Sequence, residues 1–240
     1  MRPLVLLHGF LGRGADWDAV RAGLPQAWDV AAPDLPGHGT ATDLDAQAYT
    51  MDGAAARVVA ERDGPVDLVG YSMGGRLALH VAVTRPRAVR RLVLVSASPG
   101  LRTARERAER RALDAVRAAE IAADLPAFVD RWYRMPLFDL PAALRRHLTA
   151  DRIAHNDAAE LGRSLAGMGT GAQPSHWGAL AGISTLALAV AGERDAKFVR
   201  LAGAMAEAGG VGVALVPGAA HLLPAEAPDA LARLLTDSLS

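Results

Sequence analysis

Ser72 lies in Gly70-Tyr71-Ser72-Met73-Gly74, a G-x-S-x-G pattern between the apolar run Val66-Asp67-Leu68-Val69 and a helix-like stretch. Glycines at 70 and 74 let the chain turn where side chains would clash, and such a turn presents a serine hydroxyl at a helix N-terminus. With 24 glycines in 240 residues, the bare pattern arises by chance in roughly a tenth of such chains, so the strand–turn–helix context is what makes it informative. A serine hydroxyl needs a histidine to take its proton, and the histidine needs a carboxylate to orient it. Two later loops carry candidates: Gly192-Glu193-Arg194-Asp195 after the apolar run Leu186–Ala191, and Pro217-Gly218-Ala219-Ala220-His221 after Val211–Val216. The expected catalytic set is therefore Ser72, His221 and Asp195, with Glu193 as the competing carboxylate. His8-Gly9-Phe10-Leu11-Gly12 heads the loop after Leu4–Leu7. From there the backbone N–H of Phe10, together with that of Met73, is expected to form an oxyanion hole, aimed at an oxygen that gains charge. Of the other histidines, His80 reads as packing, His147 and His155 as exposed, His176 as ambiguous and His38 as part of a hydrogen-bonded turn.

Holding these groups together requires a scaffold of alternating strands and helices. Leu4–Leu7, Asp29–Ala32, Val66–Val69, Arg91–Ser96, Leu186–Ala191 and Val211–Val216 are rich in Val, Leu and Ala without polar alternation. That is the composition of parallel strands buried on both faces. Helix-length stretches separate them, notably Thr50–Arg62, Gly75–Thr84, Phe198–Glu207 and Pro228–Ser238. From about 100 to 178 the rhythm breaks: helical periodicity and many arginines, with no convincing strand. Such an insertion reads as a helical cap over the C-terminal strand edge, where open α/β sheets bind their ligands. Serine, aspartate and histidine in that chain order, each in a loop after a strand, is the order of the α/β-hydrolase fold. The expected fold class is thus α/β, a mostly parallel sheet flanked by helices, with the cap inserted before the last two strands. A single domain over 1–240 is expected.

Composition narrows the partners. Hydrophobic residues make up 51%, which supports a packed globule, and Lys+Arg and Asp+Glu are each 26, which favours neither nucleic acid nor an anionic membrane surface. The chain has no cysteine, which excludes disulfides, thiol nucleophiles and thiolate metal sites. The apolar run at Leu4–Leu7 is too short for a signal-peptide core, and no stretch approaches the ~20 apolar residues of a membrane span. A cytoplasmic protein is expected. No metal-ligand cluster, P-loop or G-x-G-x-x-G signature after a strand is present, so no cofactor is expected.

Beyond the serine motif, several stretches carry a more specific likeness. They are His8-Gly9-Phe10-Leu11-Gly12 with Trp17, Asp34-Leu35-Pro36-Gly37-His38-Gly39, and Gly70 through Arg76. Arg131-Trp132-Tyr133 with Pro136 and Phe138, and Gly192-Glu193-Arg194-Asp195-Ala196-Lys197-Phe198, complete them. Over nearly its whole length the chain resembles the 2-succinyl-6-hydroxy-2,4-cyclohexadiene-1-carboxylate synthases of menaquinone biosynthesis. The resemblance implies a lyase that expels pyruvate from a small substrate bearing several carboxylates, its triad acting as a base without an acyl-enzyme. It also implies arginines for those carboxylates, since each carboxylate taken from water needs a charge-assisted partner. Arg76 matches the family's elbow arginine. Counting from Pro99-Gly100-Leu101 places Arg110 on the first cap arginine, and counting from Trp132 and Phe138, with one residue deleted, places Arg152 on the second. Tyr71 and Trp132 match pocket-lining positions, although Trp132 also suits the cap core. Arg105, Arg107 and Arg111 crowd the helix of Arg110, and most such charges are solvated. The chain departs from the family pattern at Ala220, where a glycine is usual. Two other readings stay open: a serine hydrolase acting on an ester or C–C bond through an acyl-Ser72, and a hydrolase-fold binding protein without catalysis.

Overall fold

A computed structural model describes residues 2–240. The strands are β1 (Arg2–Leu7), β2 (Trp28–Ala31), β3 (Val66–Tyr71), β4 (Val89–Val95), β5 (Leu186–Gly192) and β6 (Gly212–Val216). They form one sheet in the order β2-β1-β3-β4-β5-β6, every neighbour parallel. The helices are α1 (Asp18–Ala22), α2 (Met51–Ala60), α3 (Met73–Thr84), α4 (Ala104–Ala123), α5 (Leu125–Tyr133), α6 (Ala142–His155), α7 (Ala158–Met168), α8 (Ala196–Gly209), α9 (Leu223–Glu226) and α10 (Pro228–Leu239).

Successive strand residues point to opposite faces, which sorts the apolar runs into two layers. Leu4 and Leu6 of β1 join Val93 and Val95 of β4 on one face, closed by Val20 of α1 and Leu231 and Leu235 of α10. Val5 and Leu7 join Leu92 and Leu94 on the other, closed by Ala54 and Val58 of α2, Leu77 and Val81 of α3, and Met205 of α8. Each such Val, Leu or Met side chain contributes about 1.5–3 kcal/mol on burial, so the central strands anchor everything that their ends carry.

The structure differs from the sequence expectation at strand ends and at one edge. Pairing extends β1 back to Arg2 and β3 on to Tyr71, and starts β4 at Val89 rather than Arg91. α8 begins at Ala196 instead of Phe198 because the Asp195 side chain caps it, accepting from the Phe198 N–H at 3.2 Å. β6 is not buried on both faces: it pairs with β5 alone, and Val213 and Leu215 are 42% and 45% exposed. An apolar run reads the same whether the strand is central or outermost.

The four helices α4–α7 all lie between β4 and β5, within the expected insertion. Thr103 caps α4, and Glu106 reaches back to the Thr103 N–H to close a capping box. Asp124 and Asp157 cap α5 and α7. Ile121, Phe128, Val129, Leu161 and Leu165 turn inward and share a core layer with the sheet. Polar ties reinforce that docking. Arg13 donates to Asp151 at 2.8 Å, and the Asn156 side-chain amide donates to the Leu11 carbonyl at 3.0 Å. Among the described residues no helix is long and apolar enough to cross a membrane.

Candidate active site

Ser72 sits at the junction of β3 and α3 with φ 50° and ψ −107°, a conformation that costs an L-residue on the order of 1–3 kcal/mol. The neighbours enforce it. The Ser72 N–H donates to Val95 O at 2.9 Å and the Gly74 N–H to His8 O at 3.0 Å, hanging the turn between β4 and β1. A Cβ on Gly74 would collide with the Leu7 and His8 carbonyls, and one on Gly70 with the Gly74 backbone.

The loops after β5 and β6 bring the other two groups to this turn. His221 Nδ1 lies 2.6 Å from Asp195 Oδ2, and His221 Nε2 lies 3.2 Å from Ser72 Oγ. With Nδ1–H donating to Asp195, Nε2 is left to accept the serine proton. Asp195 thus does two jobs, capping α8 with Oδ1 and orienting the imidazole with Oδ2. Burial lowers the His221 pKa, and although the Asp195 hydrogen bond raises it, burial prevails. Glu193 does not compete: it is exposed and accepts from the Gly218 N–H. The alanine at 220 is accommodated without strain. Positive φ in this loop falls on Gly218, and the Glu226 carboxylate accepts from the Ala220 and Leu222 N–H groups at 2.8 Å each, bracketing His221.

The Phe10 and Met73 N–H groups find no acceptor among the described residues. Both residues line the cavity that holds Ser72 and His221, of about 590 Å³, walled by the strand ends and the cap. Tyr71 lines it too, its buried ring 5.4 Å from that of His221. Trp132 faces the cavity and also packs on Phe10, Phe128 and Phe138.

The three arginines differ. Arg76 is 9% exposed, and its one acceptor among the described residues is the Met168 carbonyl at 2.8 Å. Burial, then the charge of Arg110, lowers its pKa to about 10. Arg110 lines the cavity with its Nε–H donated to Asp114 at 2.8 Å. Arg152 also reaches the wall, but the structure qualifies its expected role because it already has partners. Asp16 takes both terminal nitrogens at 2.7 and 2.8 Å, Asp151 takes one at 2.7 Å, and the Tyr133 hydroxyl accepts from Nε at 3.0 Å. Arg105, Arg107 and Arg111 turn away, to Glu109, Leu101 O and Gly171 O.

Sequence reasoning missed Asp16, Asp114, Arg117, Tyr133 and Glu226 as parts of this neighbourhood. The spacing of Arg110, Asp114 and Arg117, on one face of α4, offered a signal for two of them, and the Arg131-Trp132-Tyr133 stretch one for Tyr133. Outside the site, His80 bridges Asp52 and His176 at 2.9 and 3.1 Å, a packing role with hydrogen bonds attached. No group of three or more His, Asp or Glu among the described residues is arranged to hold a metal ion.

Comparison with known proteins adds the following. A sequence model of the alpha/beta hydrolase family matches residues 4–234. The 2-succinyl-6-hydroxy-2,4-cyclohexadiene-1-carboxylate synthase of Klebsiella pneumoniae (strain 342) is 34% identical over 208 residues, covering 85% of this chain and 81% of its own. A Bacillus subtilis (strain 168) protein that bears the same designation provisionally is 35% identical over 248 residues, covering 99% and 90%. Among solved structures, MenH from S. aureus aligns with a TM-score of 0.91 at 29% identity, covering 100% of this chain and 95% of that one.

Proposed function

This chain belongs to the alpha/beta hydrolase family, and within it to the 2-succinyl-6-hydroxy-2,4-cyclohexadiene-1-carboxylate synthases; from that premise we propose that it is a lyase of menaquinone biosynthesis. It eliminates pyruvate from 2-succinyl-5-enolpyruvyl-6-hydroxy-3-cyclohexene-1-carboxylate. The observation that carries this reading is Arg76, a buried guanidinium beside the serine with a single carbonyl acceptor among the described residues. A cation so placed is costly unless an anion completes its coordination, and a polycarboxylate substrate supplies one.

In the proposed reaction neutral His221, held by Asp195, draws the proton from Ser72 as the serine oxygen takes the proton beside the succinyl ketone. The ketone oxygen gains charge and is met by the Phe10 and Met73 N–H groups. The freed electron pair moves through the ring double bond, the C–O bond to the enolpyruvyl group breaks, and the proton returns to the departing enolate, giving pyruvate. Arg76 and Arg110 hold substrate carboxylates, Tyr71 and Trp132 shape the apolar part of the cavity, and Arg152 works through the wall that it shares with Asp16. The chain acts as one domain in the cytoplasm, on a small molecule, with neither nucleic acid nor membrane as partner.

The test is a paired measurement. Pyruvate release from the authentic substrate should fall about ten- to a hundredfold in kcat/KM when Arg76 is replaced by methionine, the equivalent of ~1.5–3 kcal/mol for hydrogen bonds to a charged group. Slow hydrolysis of a neutral p-nitrophenyl ester should respond far less. Absence of pyruvate release together with rapid ester turnover through a trapped acyl-Ser72 would make the protein a serine hydrolase instead.

A further inference from the structure

Lys197 is the only lysine in the chain; every other member of its 26 Lys and Arg residues is arginine. It stands in the first turn of α8, two residues after Asp195, on the wall of the cavity that holds Ser72 and His221. Its surroundings oppose a positive charge. Lys197 is exposed at the rim of that cavity, yet the water displaced by the protein around it, followed by the charges of Arg110 and Arg117, pushes the ammonium pKa down, and the first turn of a helix is the positive end of its dipole. Among charged groups only Asp195 favours the charge, helped by the face of the Phe198 ring, and both Asp195 oxygens are engaged, by the Phe198 N–H and by His221. The Nζ atom lies 5.2 Å from the centre of the Phe198 ring and meets no carboxylate within ion-pair distance among the described residues.

The neighbouring cations are no better balanced. Arg110 and Arg117 share one carboxylate oxygen of Asp114, at 2.8 and 3.6 Å, while its other oxygen accepts from the Gly171 N–H. Glu106 also lines the cavity, but its Oε2 accepts from the Thr103 N–H and hydroxyl, and the ion pairs of Arg110 and Arg117 are with Asp114 instead. The contrast with Arg152 is direct, since two carboxylates already neutralise that guanidinium.

We propose that Lys197, with Arg117 beside it, is a substrate-binding residue that forms a second carboxylate subsite, separate from that of Arg76. The proposal rests on the reading of the protein as an enzyme of polycarboxylates, and it names where a further carboxylate goes. A cation on a flexible stem that no carboxylate has claimed is free to meet one from the substrate, whereas the Arg152 guanidinium is already held by Asp16 and Asp151.

Three measurements test it. In Lys197→Met the KM for 2-succinyl-5-enolpyruvyl-6-hydroxy-3-cyclohexene-1-carboxylate should rise about ten- to a hundredfold, with a much smaller change in kcat, and Lys197→Arg should recover most of the loss. Acetylation by an N-hydroxysuccinimide ester forms an amide at Nζ, expels N-hydroxysuccinimide and gives the proton to solvent. It should inactivate the wild type, more slowly when citrate is present, and spare Lys197→Arg. Calorimetric titration with citrate does not depend on turnover: affinity should drop at least tenfold in Lys197→Met. An unchanged KM, an unchanged citrate affinity, or a wild type that binds no citrate would overturn the subsite. If the wild type releases no pyruvate but loses citrate binding in Lys197→Met, the lyase reading fails and the subsite stands.

Discussion

A histidine that accepts a proton works only while neutral, and burial of His221 favours that state by lowering its pKa from 6.5. Protonation removes the base, so kcat/KM should be level above the lowered value and lost as pH falls through it. The acidic limb is therefore expected below the ~6.5 of free imidazole; a limb centred at 7 or above would contradict the burial seen here. Ser72→Ala and His221→Ala should each reduce turnover by ~10²–10⁴, the usual worth of a positioned acid–base group, with circular dichroism unchanged. Glu226 offers a different kind of prediction, because it touches neither substrate nor imidazole directly. Glu226→Ala leaves the Ala220 and Leu222 N–H groups without acceptors, a loss of about 1–3 kcal/mol in stability accompanied by lower kcat, both measurable on one preparation. The triad was legible because its chain order and its glycine-flanked serine are local patterns. Glu226, Asp16 and Asp114 were not, since an acidic residue becomes a partner only when folding chooses the N–H or guanidinium that it faces.

At the scale of elements, the strands announced themselves as apolar runs and the cap as a long interval without one. What the runs concealed was position. Nothing in Val213-Ala214-Leu215 distinguishes an outermost strand from a central one, and the exposure of Val213 and Leu215 follows from the missing neighbour. The docking of the cap was equally hidden, because it depends on pairs more than a hundred residues apart: Arg13 with Asp151, Asp16 with Arg152, Leu11 with Asn156. Removing one partner of a buried ion pair leaves the other uncompensated, at a cost of ~3–5 kcal/mol when both are fully buried. Asp16 is less buried than Arg152, and Asp151 remains, so the loss for Asp16→Asn should be smaller and confined to the cap. Hydrogen exchange should quicken across α6 while β1, β3 and β4 keep their protection. Uniform quickening over the sheet would show that the pair supports the whole fold.

For the molecule as a whole, several imidazoles are buried in the neutral form. Burial, the largest influence on each, brings His38 to about 3 and His176 to about 4, and it lowers His8 as well. Between these values and ~6.5 the unfolded chain binds protons that the folded chain refuses, so stability is intact above about pH 6.5 and declines as pH falls below it. His38 alone should cost about 2 kcal/mol by pH 5. Urea midpoints measured at pH 7.5 and pH 5 should differ accordingly, and equal midpoints would mean that these rings accept protons in place. The cap has a consequence of another sort. Its two stalks are stitched together where they leave the sheet: the His176 N–H donates to Pro99 O at 2.7 Å, the Trp177 indole N–H to Gly100 O at 2.8 Å, and the Gln173 amide to Ser98 O at 3.0 Å. An excursion closed at its own base can lengthen or shorten at small entropic expense, leaving β4 and β5 in register. Arg110 and Arg117 ride on that excursion, whereas Ser72, Arg76, Asp195, Lys197 and His221 belong to the sheet and its own loops. The reacting groups and the carboxylate contacts of Arg76 and Lys197 can therefore be inherited apart from those that the cap adds, and exchanging the segment between Gly100 and His176 for that of another hydrolase should yield a folded hybrid with the same reacting groups and an altered appetite.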